Sequence, residues 1–109
     1  MQAFELSQEL TRHQHQNSLY SEFLTTPNLS VGLYELPSGD NDPQQPHTED
    51  EVYIILRGKG KIRVSEDVRD VAPGSVVYIT AGVKHKFFNI IETITMLVIF
   101  SPARGTYSK

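Results

Sequence analysis

From residue 19 onward the chain is a series of short apolar runs separated by glycine, proline, asparagine and aspartate. Leu19–Thr25 and Ser30–Leu36 read as strands broken at Pro27-Asn28, and Pro37–Pro46, with its three prolines, reads as a loop. Val52–Leu56 and Lys61–Ser65 read as strands on either side of a turn at Arg57-Gly58-Lys59-Gly60. Turns at Pro73-Gly74 and Thr80-Ala81-Gly82 bracket a strand at Ser75–Ile79, and His85–Ile90 and Thr93–Phe100 complete the set. The pattern amounts to about eight short strands with turn signals roughly every ten residues, which predicts an all-β sandwich or barrel. Before residue 18, Phe4, Leu6 and Leu10 stand among polar residues and suggest a short helix or an irregular arm. The expected organisation is a single domain over 1–109, an arm at 1–17 followed by a barrel at 18–104.

Composition narrows the chemistry. A chain of 109 residues has room for one core. With no cysteine, any metal must be held by nitrogen and oxygen donors, which excludes thiolate zinc sites and iron–sulfur clusters and fits a reducing, cytoplasmic setting. The net charge of -3 is not gathered into a block, so no nucleic-acid partner is expected. Met1–Leu10 lacks a cationic stretch followed by an apolar run, and Ile90–Phe100 is too short and too interrupted to cross a bilayer, so neither a leader peptide nor a membrane partner is expected.

The candidate chemistry sits in two polar clusters. Gln45-Pro46-His47-Thr48-Glu49-Asp50-Glu51 leads from the proline-rich loop into an apolar strand, and Gly82-Val83-Lys84-His85 leads from a tight turn into another. Positions 45, 47 and 51 share parity and can point to one side of a sheet if the backbone is extended. A carboxylate and two imidazoles inside a barrel need a partner for the charge. A divalent cation is a good one, since Gln, His, Glu and His offer donors suited to Fe, Mn, Ni, Co or Zn. Glu49 shares the parity of Glu51 and competes with it. Glu51 is favoured because it lies seven positions before Gly58, and Glu49 and Asp50 are then expected on a solvated rim.

These residues resemble the cupin superfamily. Its first motif is matched by Gly39, five residues, Gln45-Pro46-His47, three residues, Glu51, six residues and Gly58. Its second motif is matched by Gly74, five residues, Thr80-Ala81-Gly82, two residues, His85, three residues and Asn89. The resemblance covers close to half of the chain and implies a double-stranded β-helix, or jelly-roll, barrel. It also implies Gln45, His47, Glu51 and His85 as metal ligands. Gln45 replaces a histidine of the family pattern, and Thr80 replaces a proline.

Two functions follow from that resemblance as expectations. One is a metal-dependent enzyme acting on a small organic molecule, a dioxygenase or an isomerase, with Glu51 the candidate catalytic proton acceptor if it leaves the metal. The other is a non-catalytic module that binds a metal or small ligand. Tyr53, Ile55, Phe87 and Met96 are candidates to line a ligand pocket or to pack the core, and Arg57 is a candidate for a substrate carboxylate or a solvated charge. His13 and His15 are expected at the surface. The nearly continuous apolar run Thr93–Phe100 suggests burial on both faces, one of them in a homodimer.

Overall fold

Where the hydrophobic pattern predicts two strands and a turn, the chain from Asp50 to Val64 runs as one strand. The computed structural model describes residues 1–43 and 46–107. Helix α1 (Leu6–Gln14) precedes six strands: β1 (Tyr20–Thr25), β2 (Ser30–Leu36), β3 (Asp50–Val64), β4 (Asp67–Val71), β5 (Val76–Ile79) and β6 (His85–Ser101). All pairings are antiparallel, in the order β1-β2-β6-β3-β4, with β5 also paired to β3. This is the all-β, barrel-type architecture that the strand pattern predicts.

β3 keeps its continuity by changing face. Glu51, Tyr53 and Ile55 are buried in its first half, and Gly58, Gly60 and Ile62 in its second, so the inward parity flips between them. The register against β6 shifts at Ile55/Arg57, Arg57/Lys59 and Lys59/Lys61. Such bulges insert extra residues and bend a strand without ending it. Gly58 sits at the bend with φ +95°, and a Cβ there would lie 2.2 Å from the Thr93 carbonyl oxygen. β6 makes the matching switch: His85 and Phe87 face inward before Asn89, and Ile90, Ile94, Met96, Val98 and Phe100 after it. Asn89 has φ +48°, a conformation asparagine tolerates better than most residues. The expected turn at 57–60 and the expected break near 91 are thus both bends within long strands.

β4 has no counterpart among the predicted strands. Its side chains are exposed except for Val71, so it carries no apolar alternation, and its pairing to β3 is that of an edge strand. The core joins both halves of the bent strands: Tyr53, Ile55, Ile62, Phe87, Ile94 and Met96 are each 1 % exposed or less and belong to one cluster. α1 packs against β1 and β2. His13, expected at the surface, is instead buried, sharing a 2.5 Å hydrogen bond between its Nδ1 and Ser21 Oγ, whereas His15 is exposed. No helix among the described residues is long and apolar enough to cross a membrane.

Gly58→Ala should therefore be costly for two reasons, the left-handed backbone and the steric clash. Gly74, with φ +94° and nothing within 4 Å of its would-be Cβ, isolates the first. Urea unfolding should show about 1 kcal/mol lost in Gly74→Ala and clearly more in Gly58→Ala. Equal losses would mean that the close approach to Thr93 is not a constraint.

Candidate metal centre

The two polar clusters meet because the second turn is hydrogen-bonded to the first segment. Gly82 N donates to the His47 carbonyl at 2.7 Å, and Ala81 N donates to Asp50 Oδ1 at 2.8 Å. Val83 N closes the turn onto Thr80 O at 3.1 Å, so threonine in the proline position still forms it. The loop before His47 is anchored by Asp42, a buried carboxylate. Its Oδ1 accepts the Tyr34 hydroxyl at 2.7 Å and its Oδ2 accepts Phe87 N at 3.0 Å.

His47, Glu51 and His85 come together as a result, each with one candidate ligand atom within 4.8 Å of the others. Glu51, at the start of β3, and His85, at the start of β6, are buried, and His47 is half-buried with its ring 4.9 Å from Phe100, edge to face. His85 Nδ1 donates to the Val83 carbonyl at 2.9 Å. A carbonyl can only accept, so in the neutral ring the lone pair is on Nε2, the nitrogen that faces the site. Fixing the tautomer through the outer nitrogen is how proteins orient a metal-binding imidazole. Nε2 lies 3.1 Å from Glu51 Oε1 and 3.1 Å from the Tyr53 hydroxyl. Burial pulls the His85 pKa down, but Glu51 and the Val83 carbonyl outweigh it and the net shift is upward. For His47 burial dominates and the net shift is downward, toward the neutral form that can ligate.

The decisive feature is Glu51. It is 1 % exposed, and neither carboxylate oxygen has a hydrogen-bond partner among the described residues, the contact to His85 falling short of hydrogen-bond geometry. Its one close counter-charge is His85 Nε2 at 3.1 Å, an ion pair only while that ring is protonated, and Oε2 has no hydrogen-bond partner among the described residues. A buried carboxylate so thinly compensated is expensive, and a divalent cation shared with two imidazoles would remove the expense. The donor set of two histidines and one carboxylate fits such an ion and leaves coordination positions open.

A family model for the cupin domain matches residues 32–100, which span the loop, both motifs and both bent strands. The chain is a cupin. It is 45% identical over 102 residues to the uncharacterised protein SCO3923 of Streptomyces coelicolor, with 94% of this chain and 97% of that one covered. Among solved structures it resembles TT1209 from Thermus thermophilus, with a TM-score of 0.74 and 22% identity over 94% of this chain and 99% of that one. It also resembles the DMSP lyase DddQ from Ruegeria pomeroyi, with a TM-score of 0.67 and 24% identity over 77% of this chain but 42% of the lyase.

In this cupin a cavity of ≈ 310 Å³ opens onto His47 and Glu51. Its other walls are not those considered from sequence. Tyr53, Ile55, Phe87 and Met96 are core residues, and only the Tyr53 hydroxyl reaches the centre. Arg57 is exposed on β3 and does not line the cavity; Arg104 does, with Tyr20, Tyr34 and Pro43 of the proline-rich loop. Glu49 is buried rather than on a solvated rim, its Oε2 accepting the Thr48 hydroxyl at 2.5 Å, and Asp50 is half-buried and holds the Ala81 turn. Gln45 lies outside the described residues. Asp42 and Arg104 carry no sequence signal: one is an aspartate in a polar loop, the other follows the last apolar run.

Asp42→Ala should leave the Tyr34 hydroxyl and the Phe87 amide without their acceptor, costing about 1–3 kcal/mol in urea unfolding. Tyr34→Phe, which removes only the donor to Oδ1, should cost less. An Asp42→Ala variant as stable as the parent would show that the loop is not held by this carboxylate.

Proposed function

We propose that this cupin binds one divalent transition metal ion through His47, Glu51 and His85, with Gln45 as a fourth donor, and uses it to act on a small organic molecule in the adjoining cavity. The observation that carries the reading is the buried carboxylate of Glu51, without a hydrogen-bond partner among the described residues and with two imidazoles beside it. Fe, Mn, Ni, Co or Zn suits these donors. A bound ion of this kind polarises a substrate oxygen as a Lewis acid or, as iron, brings O₂ to it, which corresponds to isomerase or dioxygenase chemistry. The protein's part is to hold and orient. Val83 O fixes the His85 ring through Nδ1, Phe100 backs His47, and the apolar wall excludes water. Glu51 is the candidate proton acceptor when its carboxylate is free of the ion. The lyase named among the similar structures supports small-molecule chemistry on this fold without specifying the reaction. The absence of cysteine supports a cytoplasmic setting.

One observation favours the second reading, a non-catalytic ligand-binding module. Tyr20 and Tyr34 donate their hydroxyl protons to Glu22 and Asp42, and burial together with those carboxylates pushes both phenol pKa values far up. Neither phenol is then poised for proton transfer, so the tyrosines of the cavity wall add no acid or base to the metal-binding set, as suits a site that only binds.

Melting after EDTA treatment and after addition of Mn²⁺, Ni²⁺ or Zn²⁺ tests the metal. An ion at a hundredfold over its Kd should stabilise by about 2.7 kcal/mol, a rise on the order of 10 °C, and His47→Ala should abolish most of it. An unchanged shift in that variant would remove His47 from the ligand set. O₂ uptake by the Fe(II)-loaded protein with enols and catechols, and substrate proton exchange into D₂O, then separate the two enzyme classes from the binding module, which shows neither.

The outer face of the sheet supports the homodimer. Val52 pairs with Tyr78 and Ile99, and Ile54 with Val76 and Leu97, which forms a continuous apolar strip. Val76 is 62% exposed and Tyr78 58%. Exposed apolar strips of this kind mark association surfaces. Tyr78→Glu should shift the protein from dimer to monomer in analytical ultracentrifugation with its fold intact; a parent protein that sediments as a monomer would rule the dimer out.

A further inference from the structure

The cavity beside the metal ligands has one more charged group on its wall, and the metal reading does not use it. Arg104 lines the same space as His47 and Glu51. Its backbone is pinned where the chain leaves β6: Arg104 N donates at 2.8 Å to the hydroxyl of Ser30, a fully buried residue at the start of β2. Its side chain is placed as well. The guanidinium carbon lies 4.9 Å from the centroid of the Tyr20 ring. That ring is itself set edge-on against Tyr34 and Phe100. A guanidinium held over an aromatic face keeps N–H groups available for an oxyanion.

Among the described residues no carboxylate forms an ion pair with Arg104. On an open surface that would mean little, but here the guanidinium shares a cavity wall with His47 and Glu51. Of the described residues that line the cavity Glu51 is the one carboxylate; Asp42 and Glu22 stand behind the Tyr34 and Tyr20 hydroxyls, whose protons they accept. The rest of the lining beside Arg104 is apolar, at Leu19, Pro43, Val98 and Phe100. An anion with an apolar body matches both parts of that lining.

We propose that the ligand of this cavity is a small carboxylate with an apolar body, whose carboxylate group docks on the Arg104 guanidinium while its other end faces His47 and Glu51. The inference rests on the metal reading above and narrows it to a substrate class. Arg104 is the residue that selects the anion. It holds no metal and its side chain is exposed, so its replacement leaves the ligand set and the core untouched.

The test is calorimetric binding of a panel of small aliphatic and aromatic carboxylates, each paired with its neutral methyl ester, to the Zn²⁺-loaded protein. At least one acid should bind the parent tightly and its ester much more weakly. Arg104→Gln should lose about 10- to 100-fold in affinity for the acid and none for the ester, as expected for a lost charge-assisted hydrogen bond, and Arg104→Lys should recover part of the loss. Zinc content and melting temperature should be the same in both variants as in the parent. The same pairs run on metal-free protein separate the two claims: if zinc does not bind, the metal reading fails, while the acid–ester difference still reports on Arg104. Equal affinity of parent and Arg104→Gln for the acids, equal affinity of acids and esters, or no acid binding to the parent would each overturn the proposal.

Discussion

Glu51 is a carboxylate held almost wholly out of water, with no hydrogen-bond donor on either oxygen among the described residues and two imidazoles beside it. Much of the surrounding structure is needed to keep it there. Its position at the start of β3, paired with Ile79 and Phe100, places it under the barrel rim where solvent does not reach. The Gly82–His47 and Ala81–Asp50 hydrogen bonds bring the two flanking segments to it. Asp42 ties down the loop that delivers His47. A carboxylate in this setting costs stability, and a cation bound there would relieve that cost.

The same economy explains the long strands. One sheet has to supply both an inward-facing ligand set and a closed apolar core, and a regular strand offers only alternate residues to either. By bending at Gly58 and at Asn89, β3 and β6 present one parity to the metal end and the other to the far end. The glycine is required because the Thr93 carbonyl occupies the space a side chain would need. Fold and site are in this sense one design, since the residues that end the two sequence motifs are those that turn the strands.

How much of this is readable in the chain depends on how local the cause is. The depth of Glu51 is legible because Glu51 and Gly58 lie on one strand, where residue count sets depth. The bends read as a turn and a break because a glycine or asparagine with positive φ gives the same local signal in a bulge as in a reversal, and only the partner strand decides between them. β4 is invisible because an edge strand with one buried residue has no hydrophobic period. His13 and Glu49 are expected at the surface because charged and polar residues usually lie there. In the fold His13 meets Ser21 where the helix packs on β1, and Glu49 meets the backbone of Tyr107, relations between groups distant in the chain. Arg104 lies beyond the last apolar run, and nothing in its neighbours announces that the chain folds back over Tyr20 there.

Replacing Glu51 by glutamine tests the central claim most directly, because it removes the charge and keeps the shape. If the carboxylate is a buried anion that only the His85 imidazole offsets and that awaits a cation, the metal-free Glu51→Gln protein should melt at or above the parent and should gain little from added Mn²⁺, Ni²⁺ or Zn²⁺. A metal-free variant that melts well below the parent while keeping the full metal-induced rise would contradict the account, since Glu51 would then be a satisfied structural group and the ion would sit elsewhere.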